Sequence, residues 1–142
     1  METRSNNVLS NIVLDTSVLI SALLKPTSIP AQALERARTH YTLVASTETL
    51  TELATVVSRD YLAKYRTVDE REAFLSRYSE LVKLIPITAQ VTDCRDAKDN
   101  KFLELALSAQ APIIVSSDSD LLVLHPYRGI HICLPVDFLL LN

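Results

Sequence analysis

The chain has 142 residues, 48% of them hydrophobic and 22% charged, and its 14 basic and 17 acidic side chains give a formal net charge of −3. That length supports one domain with a real core, and the balance excludes both a disordered polymer and a protein that binds nucleic acid by bulk positive charge alone. No apolar run is long enough to span a bilayer and the first ten residues (METRSNNVLS) carry no signal-peptide core, so a cytoplasmic protein is expected. A single glycine, Gly129, leaves no way to write a P-loop or a dinucleotide fingerprint. Cys94 and Cys133 lie far apart with no CxxC pair, so reduced thiols are expected and a zinc site is not. One domain is expected over residues 1–142, with residues 1–10 as a flexible tail.

In chain order, Ile12, Val13 and Leu14 form a short apolar run of the kind that makes a strand buried on both faces. Asp15 ends it. Thr16 or Ser17 is placed to cap a following helix whose Val18, Leu19, Ala22 and Leu23 fall at helical spacing. Pro30 opens a second helix through Ala31, Ala33, Leu34 and Ala37, and Tyr41 to Ala45 reads as a second strand. This βαβ alternation predicts a parallel sheet with right-handed crossovers. Ser46 or Thr47 starts a helix with an apolar stripe of Leu50, Leu53, Ala54 and Val57.

The segment Arg59 to Arg66 interleaves bases with Tyr61 and Tyr65, which suits an exposed helix end and also suits phosphate contact with base stacking. Thr67 to Glu70 matches a capping box ahead of a structural helix carrying Phe74, Leu75, Tyr78, Leu81 and Val82. Leu84 to Ile87, interrupted by Pro86, is read as an edge strand. A helix is predicted over Lys101 to Ala109, a strand over Ala111 to Ser116, a short helical turn over Leu121 to Leu124, a last strand over Ile130 to Leu134 and a terminal turn over Pro135 to Leu141. His125 and His131 have no partner motif and are read as surface or strand residues.

The acids stand out against this background. Asp15 ends one apolar strand and Asp118 follows another (APIIVSSDSD), and in open α/β sheets strand carboxyl ends face the crevice that holds ligands. Taken alone, Asp15 is equally a strand-end cap. Glu48 and Glu52 lie one turn apart on a helix; Glu52 sits among apolar neighbours, whereas Glu48 is in the first turn, where the helix dipole already favours an acid. Glu52 is therefore preferred. Asp93, Asp96 and Asp99 precede the Lys101 helix, and an N-cap accounts for one of Asp96 and Asp99 but not both.

Carboxylates converging in a low-dielectric crevice take up protons unless a cation sits between them. Oxygen ligands without His or Cys select Mg²⁺ or Mn²⁺, as one ion or as a pair about 3.5–4 Å apart that stabilises the attacking and leaving oxygens of phosphodiester cleavage. Thr16, Ser17 and Ser116 beside the acids would orient carboxylates or waters. With four acids neutralised by metal, the rest of the chain is slightly basic, so a nucleic-acid substrate stays compatible with the acidic total.

The segments NIVLDTSVLISALL, STETLTELATVV, DAKDNKFLELAL and IIVSSDSDLLVL resemble the four acidic motifs of PIN-domain proteins, in the right order and over nearly the whole domain. The resemblance is strongest to the VapC-like group, the toxin components of toxin–antitoxin systems. It implies a three-layer Rossmann-like α/β fold with about five parallel strands flanked by helices, and a Mg²⁺- or Mn²⁺-dependent endoribonuclease. It assigns Asp15, Glu52, Asp99 and Asp118 as the catalytic, metal-binding acids, with Asp96 and Asp120 auxiliary. It further implies an antitoxin partner and a homodimer. For RNA contact, Lys25, Arg36, Arg38, Arg59, Lys64, Arg66 and Lys101 come first.

Two other readings stay open. One is a weakly active or non-catalytic PIN-like module that binds nucleic acid or regulates. The other is an aspartyl-phosphate enzyme or receiver domain, which wants a lysine at a late strand end that IHICL does not offer.

Overall fold

The computed structural model describes residues 8–141. Most of the expected N-terminal tail, residues 1–7, lies outside the described residues, and Ser10 already belongs to the folded domain, its carbonyl accepting from Thr42 N at 2.9 Å.

Five parallel strands form one sheet: β1 (Asn11–Leu14), β2 (Thr42–Ala45), β3 (Lys83–Leu84), β4 (Ile113–Val115) and β5 (His131–Cys133), in the order β3-β2-β1-β4-β5. Period-two alternation divides each central strand between two cores. Ile12, Leu14, Leu43, Ile113 and Val115 face one way, against α1 (Thr16–Leu24), α2 (Ile29–His40), α3 (Thr47–Val57), α4 (Val68–Leu81) and α7 (Pro135–Leu139). Val13, Val44, Ile114 and Ile132 face α5 (Asn100–Ala109) and α6 (Ser119–Leu122) on the other side. Because both faces are covered, the strands read as apolar runs. The three-layer expectation holds.

Local differences have physical causes. Asp15 itself caps α1, accepting from Val18 N at 3.0 Å, in place of Thr16 or Ser17, whose hydroxyls turn to neighbouring carboxylates. Ser28 caps α2, with Pro30 in its first turn. Ser46 and Thr49 form a capping box on α3, and Thr67 with Glu70 form one on α4. Tyr41 lies outside β2 and packs its ring on Phe138 at 5.5 Å. The edge strand is Lys83–Leu84, starting one residue before the expected segment and ending within it; Pro86 has no N–H for a ladder, and pairing with Val44 and Ala45 sets the strand.

Arg66 and Arg71 are structural. Arg66 donates to the carbonyls of Leu23 (3.0 Å) and Leu24 (3.2 Å) at the end of α1. Buried Arg71 donates to Val57 O at 2.8 Å and Arg66 O at 3.2 Å, fastening the α3–α4 connection, a short 3₁₀ segment over Asp60–Lys64.

Candidate active site

The chain runs from β1 through β2 to β3 on one side and then returns to place β4 and β5 on the other, so the sheet has its switch point between β1 and β4. Ligand crevices of open α/β sheets lie there, beyond the strand carboxyl ends. Asp15 and Ser116 are the residues that follow these two strands, and backbone pairing continues into them: Asp15 N donates to Val115 O at 3.1 Å and Ser116 N to Cys133 O at 2.9 Å.

Asp15 is 3% exposed and accepts at both oxygens: Ser116 Oγ donates to Oδ2, while Ser17 Oγ (2.6 Å) and Val18 N (3.0 Å) donate to Oδ1. Burial raises its pKa, the hydrogen bonds from Ser116, Ser17 and Val18 pull it back, and the charge of Asp118 adds to the rise. Ser116 Oγ also accepts from Asp118 N at 2.9 Å, so one hydroxyl ties the two strand-end acids together. Asp118 caps α6 by accepting from Asp120 N at 2.9 Å.

The approach to α5 brings in the next acids. Asp96 caps the 3₁₀ turn Ala97–Asp99 and pairs with Lys98 at 3.0 Å, and that contact lowers its pKa. Asp99 stands at the N-cap position of α5, but its side chain makes no capping hydrogen bond. It is 6% exposed, and its Oδ2 has no hydrogen-bond partner. Its carboxyl is pushed up to about 7, first by burial, then by the carboxyl of Asp118, and then by the charges of Asp118, Asp96 and Glu52. Asn100 organises this loop, its Oδ1 accepting from Cys94 N at 2.9 Å and its Nδ2 donating to Ala97 O at 3.2 Å. Asp120 is ion-paired with exposed Arg95. Carboxylate oxygens of Asp96, Asp99 and Asp120 all lie within 4.8 Å of one another.

Glu52 stands at the rim. Thr16 Oγ1 donates to Oε2, and Lys101 Nζ donates to Oε1 at 2.5 Å, tying α3 to α5. Next to this pair opens a cleft of about 440 Å³ lined by Thr47, Glu48, Thr51, Glu52, Thr55, Val56, Arg59 and Lys101.

The structure thus gathers Asp96, Asp99 and Asp120, with Asp118 against Asp99 and Asp15 tied to Asp118 through Ser116, while Glu52 joins from the side through its charge on Asp99. The tightest acidic group therefore contains one of the four principal acids and both auxiliaries. Thr16, Ser17 and Ser116 each donate to an acid. Of the basic residues, Arg59 and Lys101 line the adjacent cleft, Arg36 holds Leu141 O at 2.7 Å, Arg38 pairs with Glu35, and Arg66 caps α1. Lys25 and Lys64 are exposed, with Lys64 over the Tyr65 ring at 5.4 Å. The pairs Lys101–Glu52 and Arg95–Asp120, which join residues 49 and 25 apart, and the loop-ordering role of Asn100 have no signal in the local sequence.

A hard divalent cation fits these residues on their own chemistry. The donors are all carboxylate oxygens, and the buried, unpartnered Oδ2 of Asp99 calls for a proton or a cation. Elsewhere, Cys94 and Cys133 are buried free thiols, Cys133 pushed up to about 11 by burial. His125 accepts from Ile132 N through Nδ1 at 3.0 Å and stacks edge-on with His131. Among the described residues, no helix is long and apolar enough to cross a membrane.

A family model described as the PIN domain matches residues 11–120. The uncharacterized protein MJ1680 of Methanocaldococcus jannaschii is 34% identical over 118 residues, covering 80% of this chain and 74% of that protein. Two solved structures share the fold. One is VapBC2 from Rickettsia felis bound to a DNA fragment from their promoter (TM-score 0.61, 15% identity, 86% of this chain and 96% of that chain). The other is PAE2754 from Pyrobaculum aerophilum (TM-score 0.63, 13% identity, 94% of this chain and 91% of that chain). The family match spans both acid-bearing strand ends and every acid of the crevice, and on it the chain belongs to the PIN-domain family.

Proposed function

We propose that this protein is a Mg²⁺- or Mn²⁺-dependent endoribonuclease that hydrolyses RNA phosphodiester bonds, and that it is the toxin of a toxin–antitoxin pair. One observation carries the reading: on the approach to α5, Asp99 lies against Asp118, is 6% exposed, has a buried oxygen without a partner, and stands within 4.8 Å of Asp96 and Asp120 oxygens. In this reading Asp99, Asp118 and Asp15 hold one or two ions with Glu52, and Asp96 and Asp120 assist. A bound ion of this class supplies positive charge to the phosphodiester and lowers the pKa of a water.

The chain's own residues do the rest. Ser116 and Ser17 fix the Asp15 carboxylate, whose orientation then needs no reorganisation during the reaction. Asp99 must give up its proton, which a cation favours and the surrounding acids oppose. The cleft beside Glu52 offers Arg59, Lys101 and threonine hydroxyls to neighbouring RNA phosphates. Fold similarity to VapBC2 supports an antitoxin partner, and a homodimer belongs to the same proposal.

Asp118→Asn is expected to reduce metal-dependent RNA cleavage to background with an unchanged far-UV circular dichroism spectrum. Full activity in that variant contradicts the assignment. One observation favours the weakly active, nucleic-acid-binding alternative: both oxygens of Glu52 and both of Asp15 are already hydrogen-bonded. Tight RNA binding without turnover in Mg²⁺ or Mn²⁺ would select it.

A further inference from the structure

We propose that Lys101 is a built-in cation that occupies Glu52 and must be displaced before Glu52 can take a divalent ion. This rests on the metal-dependent reading above and goes beyond it by assigning a competitor inside the chain.

The pair is unlike the other ion pairs of the described residues. Both partners are largely withdrawn from solvent, with side chains 22% and 19% exposed for Lys101 and Glu52, whereas every other pair has at least one partner more than a third exposed. It joins α3 to α5 across the rim of the acid centre. Each oxygen of Glu52 accepts one hydrogen bond, Oε1 from Lys101 and Oε2 from Thr16, and of the two donors only Lys101 is charged. A cation approaching Glu52 therefore meets a resident positive charge, and a hard divalent ion and an ammonium compete for the same oxygen. Once released, the ammonium remains in the cleft that also contains Arg59, where a substrate phosphate replaces the lost carboxylate. Lys101 is thus a positioning residue that couples ion loading to RNA contact.

Mn²⁺ binding, read by the electron paramagnetic resonance signal of free Mn²⁺, tests this without an activity assay. Lys101→Met is expected to bind Mn²⁺ about fivefold more tightly than wild type, the change expected from an ion pair worth about as much as a strong surface pair. Lys101→Arg, which keeps the pair, stays near wild type. In a Glu52→Gln background the Lys101→Met substitution is expected to change affinity by less than about twofold, because the competition has lost its object. Unchanged or weaker binding in Lys101→Met overturns the inference. So does an equal gain in the Glu52→Gln background, which would mark a long-range field effect. Wild-type protein that binds no Mn²⁺ contradicts the metal reading itself and the inference with it. Lys101→Gln repeats the comparison should circular dichroism show Lys101→Met unfolded.

Discussion

Asp99 is the residue on which charge and burial conflict most. A carboxyl raised to about 7 in the folded protein, against about 3.9 in an unfolded chain, keeps its proton in the native state after the unfolded state has released it. Between those values the unfolded state binds fewer protons, so this group lowers stability as the pH rises from about 4 to about 7 and adds no further slope above. Asp15, also raised by burial, acts with the same sign. Metal-free protein is therefore expected to melt at a lower temperature at pH 7.5 than at pH 5, and Asp99→Asn is expected to flatten that dependence. Equal slopes in the two proteins would mean that Asp99 ionises normally. Part of this was legible in the sequence. An acid placed just after an apolar strand, as at Asp15 and Asp118, announces itself, and one of Asp96 and Asp99 had to be more than a cap. Spacing alone did not say which, and the choice of Asp99 came from the family resemblance; Asp96 takes the cap through the 3₁₀ turn that Ala97–Asp99 adopts. Contacts made by folding, such as Lys101 with Glu52, leave no trace in local spacing.

Helix α3 shows how an element places a site residue. Buried Ser46 accepts from Thr49 N at 3.1 Å, and Thr49 Oγ1 accepts from Ser46 N at 2.9 Å, closing the first turn with both partners out of water. One turn further along stands Glu52. Ser46→Ala is expected to destabilise the protein by about 1–2 kcal/mol, at the upper end for an N-cap because the Thr49 N–H is left unpaired in a buried setting. Chemical denaturation measures this directly, and a change below about 0.3 kcal/mol would show that water replaces the hydroxyl. Elements with strong periodicity or capping chemistry, α3 and α4 among them, were predictable. The edge strand was legible as an element but not in its bounds, since Lys83 and Leu84 are both exposed and no apolar pattern marks its start; pairing to β2 sets them.

The whole molecule assembles its crevice from parts far apart in sequence. The order β3-β2-β1-β4-β5 makes neighbours of Asp15 and Ser116, 101 residues apart, and the α5 approach then adds Asp96 and Asp99. Repeated strand endings in the same chemistry foretold that convergence, because parallel strands carry their carboxyl ends to one edge. They did not foretell that the tightest acidic group would be Asp96, Asp99 and Asp120, since that depends on how the loop before α5 lies against α6. RNA cleavage with a divalent ion is the activity proposed for this edge. The direct test is incubation of purified protein with a panel of structured and single-stranded RNAs in Mg²⁺ or Mn²⁺, beside EDTA and Asp15→Asn controls. Cleavage by the wild type with metal, and by neither control, is the predicted result. Cleavage that persists in EDTA or in Asp15→Asn, or a folded, metal-bound wild type that cuts none of the RNAs, would contradict it.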